Sequence, residues 1–496
     1  MNKHGGMLLI LLAGCVATGA VAGTTTGTAT NAATNAATGS AVATGTTAST
    51  TAAVKAAPAS ALQPVDLMTI VDQAIGHDAD LAAAEAGYAA ARQARPIARA
   101  ALLPRIDGGW GRGYNRIANQ GYTPVAYWQS GWTVSLSQPL FDWARWTGYQ
   151  QADLVEAQGA LTYADARQST ILRAAQAYFD ELAAEDELQR ATDYLAAVGT
   201  QIEELQRRRA AGDATLIDLR EADALSQQAQ LQQLDATSAL HLKRQALELA
   251  TGQPFTPLSR LAATPVRPRL EPADLDSWVG QASGQGYAVQ LKQLDWQIAK
   301  LDVSKARAAH YPVVNLQAGY TPAGAASGYA RPTTTTTAML TVTIPLFSGG
   351  EIQARLRQSF AQRDQAEDAA ESAARQAGAA ARDAYTRFTS GLTRTDLLAR
   401  ITQSSRDALA ATRIGYRVGS RTSTDVLRAT DTLYTNQRDL LRARYDTILA
   451  LLQLKAQTAA LNVDEVAAIN AQLAVAAPGS AVPPASGRGD AATAAH

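Results

Sequence analysis

The stretch Gln138-Pro139-Leu140-Phe141 decides the fold, because it returns 206 positions later as Ile344-Pro345-Leu346-Phe347. Before each stretch, apolar residues alternate with polar or small ones, which is the pattern of a β-strand. Proline has no backbone N–H, so it is tolerated where a strand ends. After each stretch comes a long segment without proline, over residues 143–209 and 351–418. The sequence therefore predicts the same strand-to-helix corner twice.

Further landmarks recur in the same order, which indicates a tandem repeat. They are Ala98-Arg99-Ala100-Ala101 with Ala306-Arg307-Ala308-Ala309, 208 positions apart, and Ala177-Tyr178 with Ala384-Tyr385 and Gly212, Thr215, Asp218 with Gly419, Thr422, Asp425, each 207 apart. We predict a first repeat over residues 62–252, a proline-rich link over 253–280 and a second repeat over 281–462. Each repeat reads as helix, two strands, very long helix, turn and helix, which is a mixed α+β organisation.

Two strands are predicted in each repeat, over about residues 104–141 and 312–347. Each strand runs about ten residues, the length that a tilted strand needs to cross a bilayer. Five of the seven tryptophans fall in or just after the first strand region, as in an aromatic girdle, at Trp110, Trp128, Trp132, Trp143 and Trp146. A half-buried sheet on a soluble core is the alternative. The polar and glycine residues on the other face favour a water-filled lumen, and no partner layer with a wide apolar face is evident.

Helices are predicted over about residues 142–250 and 348–460, with Asp142 and Ser348 as N-caps. The first long helix would extend roughly 100 Å at 1.5 Å per residue. Apolar residues recur every seven positions, as at Leu188, Leu195 and Ile202, which is typical of coiled-coil seams. We therefore expect each helix to pack against neighbours on both sides, in a wall of helices that closes on itself.

Four strands cannot close a barrel, and an open sheet edge in lipid leaves backbone groups without partners. The chain is therefore expected to associate. Two copies would supply eight strands, which enclose an interior filled by side chains, whereas three copies would supply twelve and leave a channel. The glycine-rich lumen positions favour the trimer.

The two ends of the chain have a different character. A basic start, an apolar core and small residues up to Ala22 predict a signal peptide over residues 1–22. Leu12-Ala13-Gly14-Cys15 also resembles a bacterial lipoprotein box, so lipidation at Cys15 is an alternative. Residues 23–61 are rich in Ala, Thr and Gly and are expected to be disordered. Residues 463–496 are expected to form a C-terminal tail, disordered from about residue 479.

Composition excludes several classes of protein. Lys+Arg and Asp+Glu both total 44, so the net charge is zero and no nucleic-acid partner is expected. There is one cysteine, and the five histidines are scattered, so no metal site is predicted. Beyond the N-terminus no apolar run is long enough for a transmembrane helix. Because no catalytic or nucleotide-binding motif is present, we expect no catalytic residues, no cofactor and no enzymatic activity.

Over residues 62–461 the sequence resembles the TolC family of outer-membrane channel-tunnel proteins. The most specific stretch runs from Tyr416 to Tyr434, and the two strand-to-helix corners also match. The resemblance implies a homotrimer with a 12-stranded transmembrane β-barrel in the outer-membrane lipid, continued by a periplasmic α-helical coiled-coil barrel. It also implies a periplasmic adaptor protein and an inner-membrane pump of ABC or RND type as partners. Such ducts export proteins or small toxic compounds. A lumenless periplasmic coiled-coil scaffold or tether is the alternative function.

The resemblance also assigns roles to the helix turns at residues 212–214 and 419–421. They would form the periplasmic entrance, with Gly212 and Gly419 at the turns where the adaptor docks. Three residues would form an entrance latch, namely Asp218, Tyr416 and Arg421. Four would form a pore charge ring, namely Asp218, Glu221, Asp425 and Arg428.

Two points qualify this assignment. The family pattern has a second aspartate where this chain has Arg428, which we expect to pair with Asp425. Asp218 and Asp425 have an alternative role as carboxylates that the helix dipole favours in a first turn.

Overall fold

The computed structural model describes residues 64–474, apart from 119, 122, 213, 255–256, 262–269, 323–333 and 472. The predicted signal peptide, Cys15 and the Ala/Thr/Gly-rich segment lie outside the described residues. Asp213 of the first turn and the chain from residue 475 onward also lie outside them.

The first copy follows the predicted order, with three short helices ahead of the strands. Its elements are α1 Leu67–His77, α2 Ala79–Ala91, α3 Ala94–Ala100, β1 Arg105–Ile117, β2 Val125–Phe141, α4 Trp143–Ala210 and α5 Leu216–Thr251. The carboxylate of Asp142 accepts a hydrogen bond from the N–H of Arg145 at 3.1 Å. Asp142 is therefore the N-cap of α4, as the sequence predicts.

The link, the second copy and the chain that follows it contain the remaining elements. They are β3 Arg260–Leu261, α6 Leu275–Gln285, α7 Tyr287–Ala308, β4 Val313–Thr321, β5 Thr335–Thr343, α8 Glu351–Arg417, α9 Ser423–Gln457, α10 Val463–Asn470 and β6 Leu473–Ala474. Helix α6 begins inside the segment assigned to the link, so the predicted boundary at 280/281 falls within a helix.

The N-cap predicted at Ser348 is wrong. Gly350 occupies the N-cap position of α8 with φ +85°, and it follows Gly349, whose φ is +60°. The carbonyl of Ser348 accepts a hydrogen bond from the N–H of Glu351 at 3.1 Å. Two consecutive glycines thus form a left-handed turn that moves the helix start beyond the serine.

The segment assigned to a C-terminal tail is folded in its first part. Helix α10 buries Val466 and Ile469, and β6 pairs with β3. The amide of Asn470 donates to a carboxylate oxygen of Asp66 at 2.8 Å, and its carbonyl oxygen accepts from the N–H of Leu67 at 3.1 Å. The end of the repeat region is therefore attached to its beginning.

The four long strands form one antiparallel sheet in the order β1-β2-β4-β5. Strand β2 continues through Pro139 to Phe141, with an irregular register there, instead of ending at the proline. The strands β1 and β5 are the two edges of the sheet. Large aromatic side chains are exposed on it, with Trp110 at 72%, Trp128 at 64% and Trp132 at 51%.

The main apolar core lies where α1, α4, α9 and α10 meet. Tyr178 and Phe179 are completely buried there, and the hydroxyl of Tyr178 donates to the carbonyl of Ser259 at 2.6 Å. Smaller clusters follow the long helices towards the turns. None of the helices in the described part of the chain combines the length and apolar character needed to cross a membrane.

Candidate functional site

The two helical hairpins end in turns whose glycines have the same left-handed conformation. Gly212 follows α4 with φ +86°, and Gly419 follows α8 with φ +80°. A Cβ atom added at either glycine would meet nothing within 4 Å. The turns therefore require glycine for its left-handed backbone and not for lack of space.

Each turn leads into a helix that begins with a capping box. The carboxylate of Asp218 accepts from the N–H of Thr215 at 3.0 Å, and the hydroxyl of Thr215 accepts from the N–H of Asp218 at 3.2 Å. Thr422 and Asp425 make the same pair of bonds at 3.0 and 3.2 Å. The N–H and hydroxyl groups of Thr422 lower the pKa of Asp425. Both aspartates thus stabilise helix starts, which is the alternative role considered for them.

Tyr416 is the buried member of the predicted latch. It is 8% exposed and packs against Leu409, Val426 and Leu433, in the core between α8 and α9. The guanidinium of Arg208, on α4, lies 4.1 Å from the centre of its ring. Burial raises the pKa of the Tyr416 hydroxyl. Tyr416 therefore joins the first hairpin to the second within one chain.

Arg421 is exposed beside the same turn. Its N–H donates to the carbonyl of Gly415 at 3.3 Å, and a Cβ atom on Gly415 would come within 2.8 Å of its side chain. The absence of a side chain at Gly415 thus lets Arg421 fold back over α8. Within one chain, the structure does not bring Asp218, Tyr416 and Arg421 into a single bonded cluster.

The predicted ring residues differ in their surroundings. Glu221 is exposed, and a carboxylate oxygen accepts from the hydroxyl of Thr424 at 2.9 Å, which connects α5 to α9. Arg428 is exposed as well. The expected ion pair between Arg428 and Asp425 does not form among the described residues, because the first-turn carboxylate is turned towards Thr422.

A buried acidic cluster lies in the middle of the helical region, where sequence reasoning predicted no site. Glu181, on α4, is buried with its carboxylate 3.5 Å from Nε of Arg244, on α5. Burial and the neighbouring Glu185 raise the pKa of Glu181 to about 7. Nearby, the hydroxyl of Tyr445 donates to Asp186 at 2.6 Å, and burial raises the pKa of Asp186.

The repeat, the four-stranded sheet and the paired turns agree with one family model. The model of the outer membrane efflux protein family matches residues 70–253 and 278–460, in two segments that follow the two copies. The chain belongs to the outer membrane efflux protein family.

The chain is similar to known proteins over most of its length. The outer membrane protein TolC of Vibrio cholerae is 28% identical over 84% of this chain and 96% of its own length. The proteases secretion protein PrtF of Dickeya chrysanthemi is 27% identical over 82% and 90%. The solved structure of VceC, an outer membrane protein of Vibrio cholerae, has a TM-score of 0.70 at 20% identity, over 79% of this chain and 96% of that one.

These comparisons confirm the function and location predicted from the sequence. The protein is an outer-membrane exit duct of efflux and secretion systems, with a periplasmic tunnel. The family is one of transport proteins and not of enzymes. The fold is that of the solved outer-membrane channels, mostly helical with a few strands.

The sequence analysis did not predict three contacts near the turns. Gly415 has no signal of its own, and the contact of Arg208 with Tyr416 becomes visible only when the helices pack. The contact between Glu221 and Thr424 likewise joins the two hairpins. The run Arg207-Arg208-Arg209 is a readable signal, because cations at the C-terminal end of a helix complement its dipole.

Proposed function

We propose that the chain works as a homotrimer in the outer membrane. Three four-stranded sheets would close a twelve-stranded β-barrel, and the long helices would continue it as a periplasmic coiled-coil tunnel. The observation that carries this proposal is the sheet itself, because β1 and β5 are edges and the exposed tryptophans lie on β1 and β2. Edges exposed to lipid would leave N–H and C=O groups without partners, which closure by further copies removes.

The trimer is tested by isolation from outer membranes in mild detergent. We expect a single species with the mass of three chains, and single-channel recordings with one conducting pathway per trimer. A monodisperse monomer in detergent, or a soluble protein that needs no detergent, would contradict the barrel.

The turns at Gly212 and Gly419 would form the periplasmic entrance, where a periplasmic adaptor protein docks. An inner-membrane pump of ABC or RND type would then deliver cargo, either proteins or small toxic compounds. The relatives support both kinds of system, since PrtF is named for protease secretion and the family for efflux. Affinity purification of the trimer with its adaptor and pump, followed by mass spectrometry, distinguishes the two pump types.

Asp218, Tyr416 and Arg421 would act as an entrance latch between neighbouring copies. Two features support this role. Arg421 is exposed at the turn, and one carboxylate oxygen of Asp218 accepts the bonds of its capping box, while the other accepts none from the residues that the structure describes. Such a link is partly exposed and would contribute no more than about 1 kcal/mol. A trimer would contain three such links. Asp218, Glu221, Asp425 and Arg428 would form the pore charge ring.

A further inference from the structure

The four-stranded sheet is almost free of acidic residues. Aspartate and glutamate are absent from residues 108–141 and 303–350, which contain all of β2, β4 and β5 and most of β1. The one exception on the four long strands is Asp107, which forms an ion pair with Arg105 at 3.0 Å, at the end of β1 that is next to the helices. Cations at the opposite end of the sheet therefore have no carboxylate on these strands to balance them.

Two such cations lie at the far end of β1. Arg112 and Arg116 are exposed, and neither forms an ion pair within the part of the chain that the structure describes. The guanidinium of Arg112 lies over the ring of Trp128, 4.7 Å from its centre, and Tyr114 packs on the same tryptophan with ring centres 5.3 Å apart. Stacking uses the face of the guanidinium, so its N–H groups remain able to donate from the edge.

Both arginines lie on the face of β1 that carries its large apolar side chains. Side chains alternate along a strand, so Arg112 and Arg116 share a face with Ile106 and Trp110. Trp110 lies opposite Trp132 of β2, which extends the apolar surface across the hairpin. One step of two residues, about 7 Å, separates Trp110 from Arg112. In a transmembrane barrel, a change from apolar to polar along the outward face marks the boundary of the hydrocarbon layer.

This boundary lies at the end of the sheet that is remote from the helices. Among the described residues, β2 pairs with β4 up to Val134 opposite Tyr320, whereas β1 and β2 remain paired up to Ile117 opposite Val125. The arginines therefore belong to the part of the first hairpin that extends past the described end of β4. Because the helices form the periplasmic tunnel, the opposite end of the strands faces the outer leaflet of the outer membrane.

We propose that Arg112 and Arg116, supported by Trp128 and Tyr114, bind the phosphate groups of lipid A in the outer leaflet. This inference rests on the proposed barrel and adds a lipid-binding site to its outer surface. Guanidinium groups bind phosphate oxygens through paired N–H···O bonds, which suits a phosphorylated headgroup. Tyrosine and tryptophan fit the same depth, since each has an apolar body and a polar tip. Two unpaired cations on a sheet almost free of carboxylates supply the charge complementarity.

The site belongs to the first copy of the repeat. The residues 208 positions after Arg112 and Arg116 are Tyr320 and Gly324, so the sequence of the second copy has no cation at either place. Tyr320 instead packs against Trp132, with ring centres 6.2 Å apart. A trimer would therefore carry three sites, one on each first hairpin, although it contains six strand hairpins.

Native mass spectrometry of the purified, conducting trimer tests the site with three probes. The probes are lipid A with two phosphates, the same lipid without phosphate, and phosphatidylglycerol, a lipid that also carries a negative phosphate. We expect up to three molecules of the phosphorylated lipid A per trimer, and affinity at least about tenfold lower for the form without phosphate, because hydrogen bonds between charged groups are lost. Binding should also weaken as the salt concentration rises.

Two matched variants place the binding on the strand. Arg112→Ser should weaken the binding of phosphorylated lipid A by about tenfold, and the double variant with Arg116→Ser should weaken it further. Arg105→Ser makes the same change on the same strand, where the side chain is paired with Asp107 and lies on the other face. This control should bind the lipid as the unmodified chain does.

The outcomes separate the site from the barrel. A conducting trimer that binds lipid A equally with and without phosphate, that binds phosphatidylglycerol as tightly, or that loses lipid A equally in Arg105→Ser overturns the site and leaves the proposed function standing. The comparison of probes uses the unmodified chain, so it decides the question even if a variant fails to assemble. A protein with neither trimer nor conductance overturns the proposed function, and the inference fails with it.

Discussion

The two helix turns have a glycine of the same conformation but carry different side chains. Each has a glycine with positive φ and a Thr–Asp capping box. Yet the first turn has arginines before the glycine, at Arg208 and Arg209, where the second has Gly415 and Tyr416. The second has Arg421 after the glycine, where the first has Ala214. Duplication has therefore kept the residues that shape the backbone, while the residues that link hairpins have diverged.

The largest effect is expected where the turns are alike. Gly419→Val should abolish export while trimers still reach the outer membrane, because a β-branched residue at positive φ is strained by on the order of 1–3 kcal/mol and displaces the docking surface. Export assays and membrane fractionation measure the two effects. Gly419→Asn is the control and should keep most export, since asparagine tolerates left-handed backbone. If Gly419→Val also prevents membrane insertion, the glycine serves folding and the docking role loses its support.

The next effect should separate the latch from the capping box. Arg421→Ser combined with Asp218→Ala should raise conductance in planar bilayers, because both sides of the proposed link between neighbouring copies are removed. Asp218→Ala also breaks a capping box, at a cost of about 1 kcal/mol. The control is therefore Arg421→Ser with Asp425→Ala, which breaks the matched capping box and should open the pore less. Equal conductance in the two variants would show that loosened helix starts, and not a latch, open the entrance.

A smaller effect should come from the contact between the hairpins. Arg208→Ala removes the guanidinium from the ring of Tyr416 and from the carboxylate of Glu204, 3.3 Å away, and should lower trimer stability by roughly 0.5–1 kcal/mol. The neighbouring variant Arg209→Ala removes the same charge from an exposed position, with no such contact. Thermal unfolding of both variants measures the difference. Equal melting temperatures would indicate that the contacts of Arg208 with Tyr416 and Glu204 add nothing beyond its charge.

The smallest effect concerns ion selectivity. The four ring residues carry a net charge of −2 per chain, and a narrow constriction strengthens the field of such a ring. Arg428→Asp should move the reversal potential in a salt gradient towards stronger cation selectivity. Arg428→Ser changes the charge by half as much and should give about half the shift. A shift of the opposite sign would place these residues away from the narrowest part of the pore.

Local signals explain what could be predicted from the sequence. The long helices α4 and α8 agree to within a residue with the proline-free segments 143–209 and 351–418, because Asp142, the glycines and the absence of proline mark their ends. Short elements were missed. Helix α10 is an example, because eight residues are too few to show a clear helical periodicity. Contacts such as that of Arg208 with Tyr416 join residues two hundred positions apart. Their existence depends on how the helices pack, which no local pattern encodes.

Burial of Glu181 makes the stability of the helical region depend on pH. Its pKa rises from 4.5 in the unfolded chain to about 7 in the folded one, so folding favours proton uptake. The stability that this carboxyl contributes is therefore complete below pH 4.5 and is lost as the pH rises through about 7. By the same linkage, any motion that exposes Glu181 at neutral pH releases protons. A motion that separates α4 from α5 would therefore change the number of bound protons. The variant Glu181→Gln would remove that change.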